Sequence, residues 1–278
     1  FTSFSRAHCK SWCAGYSPLS IGKREKTMAC SRQQLSEFLD NLLEPERFQD
    51  YCPNGLQVEG KNEIHRLVTG VTASQALVNE AIKRRADAIL VHHGYFWRGE
   101  HPCLTGMKAT RIRSLLSADI NLFAYHLPLD WHPAVGNNAT LGELMGVDGS
   151  GPLNPADTNT PVFKGYFSPE ITVQTLAARL SDGLGREPLV IGEGNVNSIA
   201  WCTGAGQGYL NAAADAGADV FVTGEVSEQT VHTARERGIA FIAAGHHATE
   251  RYGVQALGAK ASECLGITHE FIEIDNPV

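Results

Sequence analysis

The chain has 278 residues, of which 43% are hydrophobic, and a formal net charge of −7 at pH 7. That length suits two domains with real cores, and the acidic balance excludes a broad nucleic-acid-coating surface, which needs clustered Lys and Arg, though not a local basic pocket for a nucleotide. No apolar run approaches the roughly 18 residues of a membrane span, and seven scattered cysteines without CxxC pairs predict reduced thiols in an intracellular, cytoplasmic setting.

Residues 1–27 carry Arg6, Lys10, Lys23, Arg24 and Lys26 against the single acid Glu25, with little periodicity. That composition reads as a transit peptide or as upstream sequence foreign to the rest of the chain, and predicts a disordered or loosely packed leader. Cys9 and Cys13 beside His8 have no second pair to complete a zinc site. From Met28 onward, Ser31 reads as an N-cap with Gln34 three residues later, opening an amphipathic helix to Leu43. Residues 51–58, with Pro53 and Asn54-Gly55, read as a loop. A strand at 67–71, a helix at 74–85, a strand at 88–92, a helix at 108–118, a strand at 120–125 and a short helix at 138–145 come next. Residues 149–161, rich in Gly, Pro, Asn and Asp, are the predicted linker. A strand at 162–167, a helix at 173–180 and a strand at 199–202 open the second half, which ends on a strand at 271–274.

The chain also repeats itself. Gln75, Asn79, Ala81 and Ala86-Asp87 return as Gln207, Asn211, Ala213 and Ala218-Asp219 at a constant offset of 132 residues. A two-residue gap before them sets Thr69-Gly70 over Thr203-Gly204. With one residue gapped, 120–130 lies over 239–250, bringing His126 onto His246 and Asp130 onto Glu250; Glu225 falls at the position of His93. Strand, helix, strand, helix, strand thus occurs twice. The expected fold class is α/β, with two pseudo-twofold-related α/β halves, 28–150 and 151–278, and a cleft between them.

Three stretches carry the chemistry. Val91-His92-His93-Gly94 ends an apolar strand, and histidines at a strand's C-terminal end sit where an open α/β sheet places ligands. His126-Leu127-Pro128-Leu129-Asp130 follows another strand and sets an imidazole and a carboxylate four apart. In His246-His247-Ala248-Thr249-Glu250, any helix starting there stacks His246 and Glu250 on one face, about 5–6 Å between Cβ atoms. Imidazoles and carboxylates at strand ends are the donor set of a divalent first-row metal, which the cleft is expected to hold. His247 reads as a helix-start donor rather than a ligand, and His65, His101, His132, His232 and His269 as surface or loop residues. Residues 203–208 follow a strand as a glycine-rich phosphate cradle would, but lack a Walker lysine and a strict GxGxxG.

The runs Pro53-Asn54-Gly55-Leu56-Gln57-Val58, Thr69-Gly70-Val71-Thr72-Ala73-Ser74 and Val91-His92-His93-Gly94-Tyr95-Phe96-Trp97 closely resemble the Nif-three-like dinuclear metal-centre family, whose members are often labelled GTP cyclohydrolase I type 2. Tyr125 to Asp130, Gly136-Asn137-Asn138, Thr223-Gly224-Glu225 and Gly245 to Arg251 extend the resemblance, which runs from Met28 to the C-terminus. It implies a pair of α/β domains, a ring-shaped homohexamer, and two divalent metal ions per subunit (Fe, Mn, Zn or similar). The implied ligands are His92, His93, Asp130, His246 and Glu250, with Glu250 bridging both ions and His126 beside them as a ligand or supporting group. Three imidazoles and two carboxylates leave open positions on two ions, the pattern of a catalytic site.

His126 and Glu250 are the candidates to move a proton. Asn54, Tyr95, Arg98 and Glu225 are the candidates for substrate contact: Tyr95, with Trp97, to stack on a base, Arg98 to meet a phosphate, Glu225 to touch substrate. The competing roles are a buried aromatic lid for the two rings and a helix-start carboxylate for Glu225. The expected function is a metal-dependent hydrolase acting on a small nucleotide or related heterocyclic metabolite. The alternative is a metal-binding, ring-forming adaptor or regulatory protein without turnover.

Overall fold

The computed structural model describes residues 29–278; the leader, with His8, Cys9 and Cys13, and Met28 lie outside the described residues. The first half comprises β1 (Cys30–Ser31), α1 (Arg32–Leu43), β2 (Gly55–Val58), β3 (Glu63–Ile64), β4 (Arg66–Thr72), α2 (Gln75–Lys83), β5 (Ala88–His93), α3 (Gly106–Ala118), β6 (Asn121–Ala124) and α4 (Leu127–Trp131). Next come α5 (Asn137–Met145), β7 (Asp148–Pro152), β8 (Phe163–Thr172), α6 (Val173–Leu184), β9 (Leu189–Ile191), β10 (Asn195–Cys202), α7 (Leu210–Asp215) and β11 (Val220–Thr223). The last elements are α8 (Glu228–Arg237), β12 (Ala240–Ala243), α9 (His246–Thr249), α10 (Arg251–Leu265) and β13 (Thr268–Phe271). Ser31 caps α1 as expected, in a full capping box: its hydroxyl accepts from Gln34 N, while Gln34 Oε1 accepts from Ser31 N.

Five strands form one sheet in the order β13-β4-β5-β6-β2, and six form another in the order β7-β8-β10-β11-β12-β9. Both share a core of parallel strands, β4-β5-β6 and β10-β11-β12, flanked on one side by an antiparallel strand, β2 on β6 and β9 on β12; in the first sheet β13 extends the parallel run beyond β4. Helices cover both faces, so the central strands are buried on each side and read as continuous apolar runs rather than alternating ones. On β5, Ala88 and Leu90 pack with Leu35, Leu39, Leu257 and Ala261 of α1 and α10. Ile89 and Val91 pack with Leu77 and Val78 of α2 and Ile112 and Leu115 of α3. On β11, Val220 and Val222 join Leu141 of α5 and Leu176 and Leu180 of α6, whereas Phe221 joins Leu210 of α7 and Ala234 of α8.

The repeat is written in the hydrogen bonds. Asp87 Oδ2 accepts the N–H groups of His65 and Arg66 at 2.7 and 2.8 Å, and Asp219 Oδ2 accepts those of Asn197 and Ser198 at 2.9 and 2.8 Å. Leu67 faces Ala88 as Ile199 faces Val220. The offset of 132 therefore runs back through β4 and β10 without the expected two-residue gap, and Thr72, not Gly70, is the counterpart of Gly204.

Removing Asp87 strands those two amides and Lys61 Nζ, 2.6 Å from Oδ1. Asp87→Ala is expected to cost about 1–3 kcal/mol, and Asp219→Ala less because Asp219 is exposed. Burial pushes the Asp87 carboxyl up, but the Lys61 ammonium and the two amides outweigh it and hold it below the usual range. The stabilisation is thus present above the unfolded value of about 3.9 and is lost as pH falls through the folded one. Urea midpoints of both variants across this range test it; an Asp87→Ala penalty that persists unchanged in acid contradicts it.

Three local expectations are corrected, and one strand is added to them. Residues 55–58, read as a loop from their turn chemistry, form β2, held by its pairing with β6 and irregular between Leu56 and Val58. The predicted linker contains β7, which pairs with β8. The short edge strand β9 gave no periodic signal. The C-terminal strand lies at 268–271 and pairs with β4 of the first sheet, and the apolar face of α10 packs on the first core, so 151–278 is not one contiguous half. The chain is already in the second core at Leu141 and returns to the first at Val254. Periodicity says that a helix has an apolar face; it does not say which sheet that face covers. No helix among the described residues is long and apolar enough to cross a membrane.

Candidate metal centre

The ends of β5, β6, β10 and β12 deliver one cluster, placed where the chain crosses between the two sheets. His92 and His93 end β5, His126 caps the short α4 after β6 with Asp130 inside it, and His246 opens the single turn of α9 after β12 with Glu250 just past its end. Asp130 lies at the outward crossing and Glu250 at the return. Asn137 ties the two together: its Nδ2 donates to Asp130 Oδ1 at 2.9 Å and its Oδ1 accepts from Gly253 N at 3.1 Å.

His92 Nε2 lies 3.6 Å from Asp130 Oδ1 and 3.5 Å from Glu250 Oε1, while Glu250 Oε2 is 3.3 Å from both His93 Nε2 and His246 Nε2. Two groups of donor atoms could each hold a metal ion, His92 with Asp130 and Glu250, and His93 with His246 and Glu250; a third joins His92, His93 and His126. His126 stacks close by, its ring 5.0 Å from that of His92 and 5.9 Å from that of His93. Among the described residues, the buried His92 Nε2 and Glu250 Oε2 take no hydrogen bond. Buried polar atoms of this kind are costly unless a ligand satisfies them, so the residues present fit a bound cation.

Every imidazole is oriented through Nδ1. The partners are the Tyr125 carbonyl for His92 (3.0 Å), the Thr72 hydroxyl for His93 (3.1 Å), Asp50 for His126 (2.6 Å) and Glu225 for His246 (2.7 Å). Such outer partners fix the ring so that the other nitrogen faces the metal. Asp130 Oδ1 also accepts from the Thr203 hydroxyl at 3.2 Å, and Gly204 N donates to Thr249 Oγ1 at 3.0 Å.

The charges divide the cluster. Burial alone would lower the His92 and His246 imidazoles, but carboxylates outweigh it and raise both to about 9: Asp130 and Glu250 at His92, Glu250 and Glu225 at His246. At His93 burial wins, reinforced by the neighbouring imidazoles, and the value falls to about 3. Burial and the Glu250 charge push the Asp130 carboxyl up. Burial also works against Glu250, yet the surrounding imidazoles hold it well below the usual range. His92, Asp130 and Glu250 form a closed floor, with side chains 0%, 7% and 4% exposed; His93, His126 and His246, at 17%, 16% and 27%, form an open side.

The sequence pattern of the Duf34/NIF3 (NGG1p interacting factor 3) family matches residues 30–277. The chain belongs to the Duf34/NIF3 family. It is 54% identical over 251 residues to a Pseudomonas aeruginosa protein named GTP cyclohydrolase 1 type 2 homolog, covering 90% of this chain and 100% of that one. Among solved structures it is similar to ybgI, described as of unknown function, with a TM-score of 0.84 and 47% identity over 89% of this chain and 100% of that one. TTHA1606 from Thermus thermophilus gives a TM-score of 0.83 and 35% identity with the same coverage.

Against this Duf34/NIF3 fold, the six residues expected at or beside the metals, His92, His93, His126, Asp130, His246 and Glu250, come together. His247 turns away to Glu273, 2.6 Å distant. The substrate-contact candidates fare differently. Tyr95 is buried and its hydroxyl donates to the Ala73 carbonyl at 2.9 Å, so it braces the fold rather than offering a stacking face. Asn54 accepts from His126 N at 2.7 Å and donates to Asp50 at 2.9 Å, which holds the Asp50–His126 pair. Glu225 is neither a helix-start carboxylate nor free, being bonded to His246 and Gln207. Arg98 is exposed, with its guanidinium on the Asp50 carbonyl and 5.8 Å above the Tyr51 ring. Trp97 stands at the open side, 5.0 Å from the His126 ring and 5.9 Å from His93.

The glycine-rich run 203–208 is not a phosphate cradle: the N–H groups of Gly204 and Gly206 are taken by Thr249 and Thr223. Its glycine at 204 serves the cluster instead, because a Cβ there would lie 2.2 Å from Glu250 Oε1. Sequence reasoning missed Asp50, Thr72 and Thr203. Asp50 had a usable signal, four residues before Asn54; Thr72 and Thr203 needed the strand register.

Proposed function

We propose that this protein is a metal-dependent hydrolase of a small nucleotide or related heterocyclic metabolite, in which His92, His93, Asp130, His246 and Glu250 hold two divalent ions and His126 stands at their open side. The observation that carries this reading is Glu250, a buried carboxylate shared by two donor groups, one of its oxygens without a hydrogen bond. Divalent ions in such a site supply Lewis-acid polarisation and a water nucleophile near neutral pH. The closed floor excludes solvent from one side of the reacting group, and the open side admits substrate. Asp50 fixes the His126 tautomer by accepting a hydrogen bond from Nδ1–H, which leaves Nε2 free to accept and return a proton. Trp97 supplies an aromatic wall for a planar ring. The name carried by the Pseudomonas relative supports a nucleotide substrate, and the open side favours turnover over an adaptor role.

The test is to offer the metal-loaded protein a panel of nucleotides and phosphoesters, with Glu250→Gln as the control. Turnover by the parent and not the variant is expected. Full metal loading without turnover of any member contradicts the hydrolase reading.

Metal affinity should depend steeply on pH. Below about 9 the His92 and His246 imidazoles are protonated and repel a cation, so binding displaces both protons and strengthens as pH rises from neutral towards 9. His93, already neutral, contributes nothing. Calorimetry in buffers of different ionisation enthalpy counts the protons; affinity independent of pH over this range contradicts the arrangement. A closed homohexameric ring is part of the same reading. Light scattering is expected to give a hexamer, and a monomer at micromolar concentration rules it out.

A further inference from the structure

Beside the imidazole cluster, a cleft of about 430 Å³ is lined by Arg186, Glu187, Leu189, Gly224, Glu225 and Gly245, among others. Among the described residues Arg186 makes no hydrogen bond or ion pair, and its Nη1 is buried without a partner. The guanidinium lies tight against the chain because residue 245 is glycine: a Cβ there would sit 2.2 Å from Nη1 and 2.8 Å from Cζ, and the backbone is at φ +99°. Gly245 immediately precedes His246, and Glu225 of the cleft wall bonds that imidazole at 2.7 Å. The cleft therefore shares a wall with the cluster. Glu225 is engaged by His246 and Gln207 and is not the partner of Arg186.

A buried guanidinium donor without an acceptor is costly, and its planar fork matches the paired oxygens of a phosphate or carboxylate. We propose that Arg186 is the oxyanion-binding residue of this site, holding a phosphate or carboxylate group of the substrate beside His246. This rests on the hydrolase reading and narrows it to anionic substrates whose charged group lies on the Glu225 side of the centre. Arg186 binds and positions; it takes no part in proton movement.

The experiment titrates inorganic phosphate, and separately acetate, into the full chain with metal loaded and with metal removed by chelation, for the parent, Arg186→Gln and Arg186→Lys. Arg186→Gln is expected to weaken binding of at least one anion by about tenfold or more in both states, with Arg186→Lys intermediate and metal stoichiometry unchanged. The anion that shows the effect assigns the group. Parent-like anion binding by Arg186→Gln, or no measurable binding of either anion by the parent, overturns the proposal. A change of oligomeric state in Arg186→Gln also overturns it, because Arg186 would then be a contact between subunits. Failure of the hydrolase reading is distinct: metal or turnover would be missing while Arg186-dependent anion binding persisted.

Discussion

Glu250→Gln is expected to strip the protein of metal while leaving it folded. The amide keeps the shape of the side chain but removes its charge and replaces one ligand oxygen with a donor facing imidazoles. Glu250 belongs to both donor groups, so one substitution disables both. Loss of an outer partner of a metal ligand typically costs 10–100-fold in affinity; loss of a shared inner carboxylate should exceed about a hundredfold on that scale. The four apolar clusters that make the cores do not include Glu250, so the far-UV spectrum should be unchanged. Elemental analysis after dialysis reads the result. Metal content equal to the parent's would remove Glu250 from the site.

Gly204→Ala should have a comparable effect without removing any donor atom. The added methyl would lie 2.2 Å from Glu250 Oε1 and 3.2 Å from His246 Nε2, on a backbone at φ +66°. An L side chain is strained there, and overpacking of this kind costs about 1–3 kcal/mol. Either Glu250 is displaced or the β10–α7 connection shifts, and both outcomes spoil the cluster. Gly208→Ala is the control, since a Cβ at 208 meets nothing within 4 Å. The expected pair of results is lost metal and a lowered thermal midpoint for Gly204→Ala, and neither for Gly208→Ala. Equal behaviour of the two variants would mean that the glycine at 204 does not shape the site.

The donor residues were legible because each sits at a strand end or one helical turn beyond it, and strands buried on both faces announce themselves as apolar runs. Ala88 to Val91 places His92 and His93 with no further information. The spacing of four placed Asp130 after His126 and Glu250 after His246. What the sequence hid was long-range. Thr72 meets His93 only because β4 and β5 pair in one register, and Asp50 reaches His126 across 76 residues of chain. Tyr95 looked like a stacking ring because composition cannot distinguish a buried tyrosine from an exposed one. The return of α10 and β13 to the first sheet was hidden for the same reason, since an apolar helix face suits either core. The Asp87 and Asp219 pair shows the opposite case: a repeat visible as scattered identities is enforced by one hydrogen-bonding device used twice.

The most direct test of the central claim is an anomalous-scattering map from crystals of the protein loaded with manganese or zinc. Two peaks are predicted, one beside His92 and Asp130 and the other beside His93 and His246, with Glu250 adjoining both. A single peak, or peaks away from Glu250, would contradict the shared-carboxylate site on which the hydrolase reading depends.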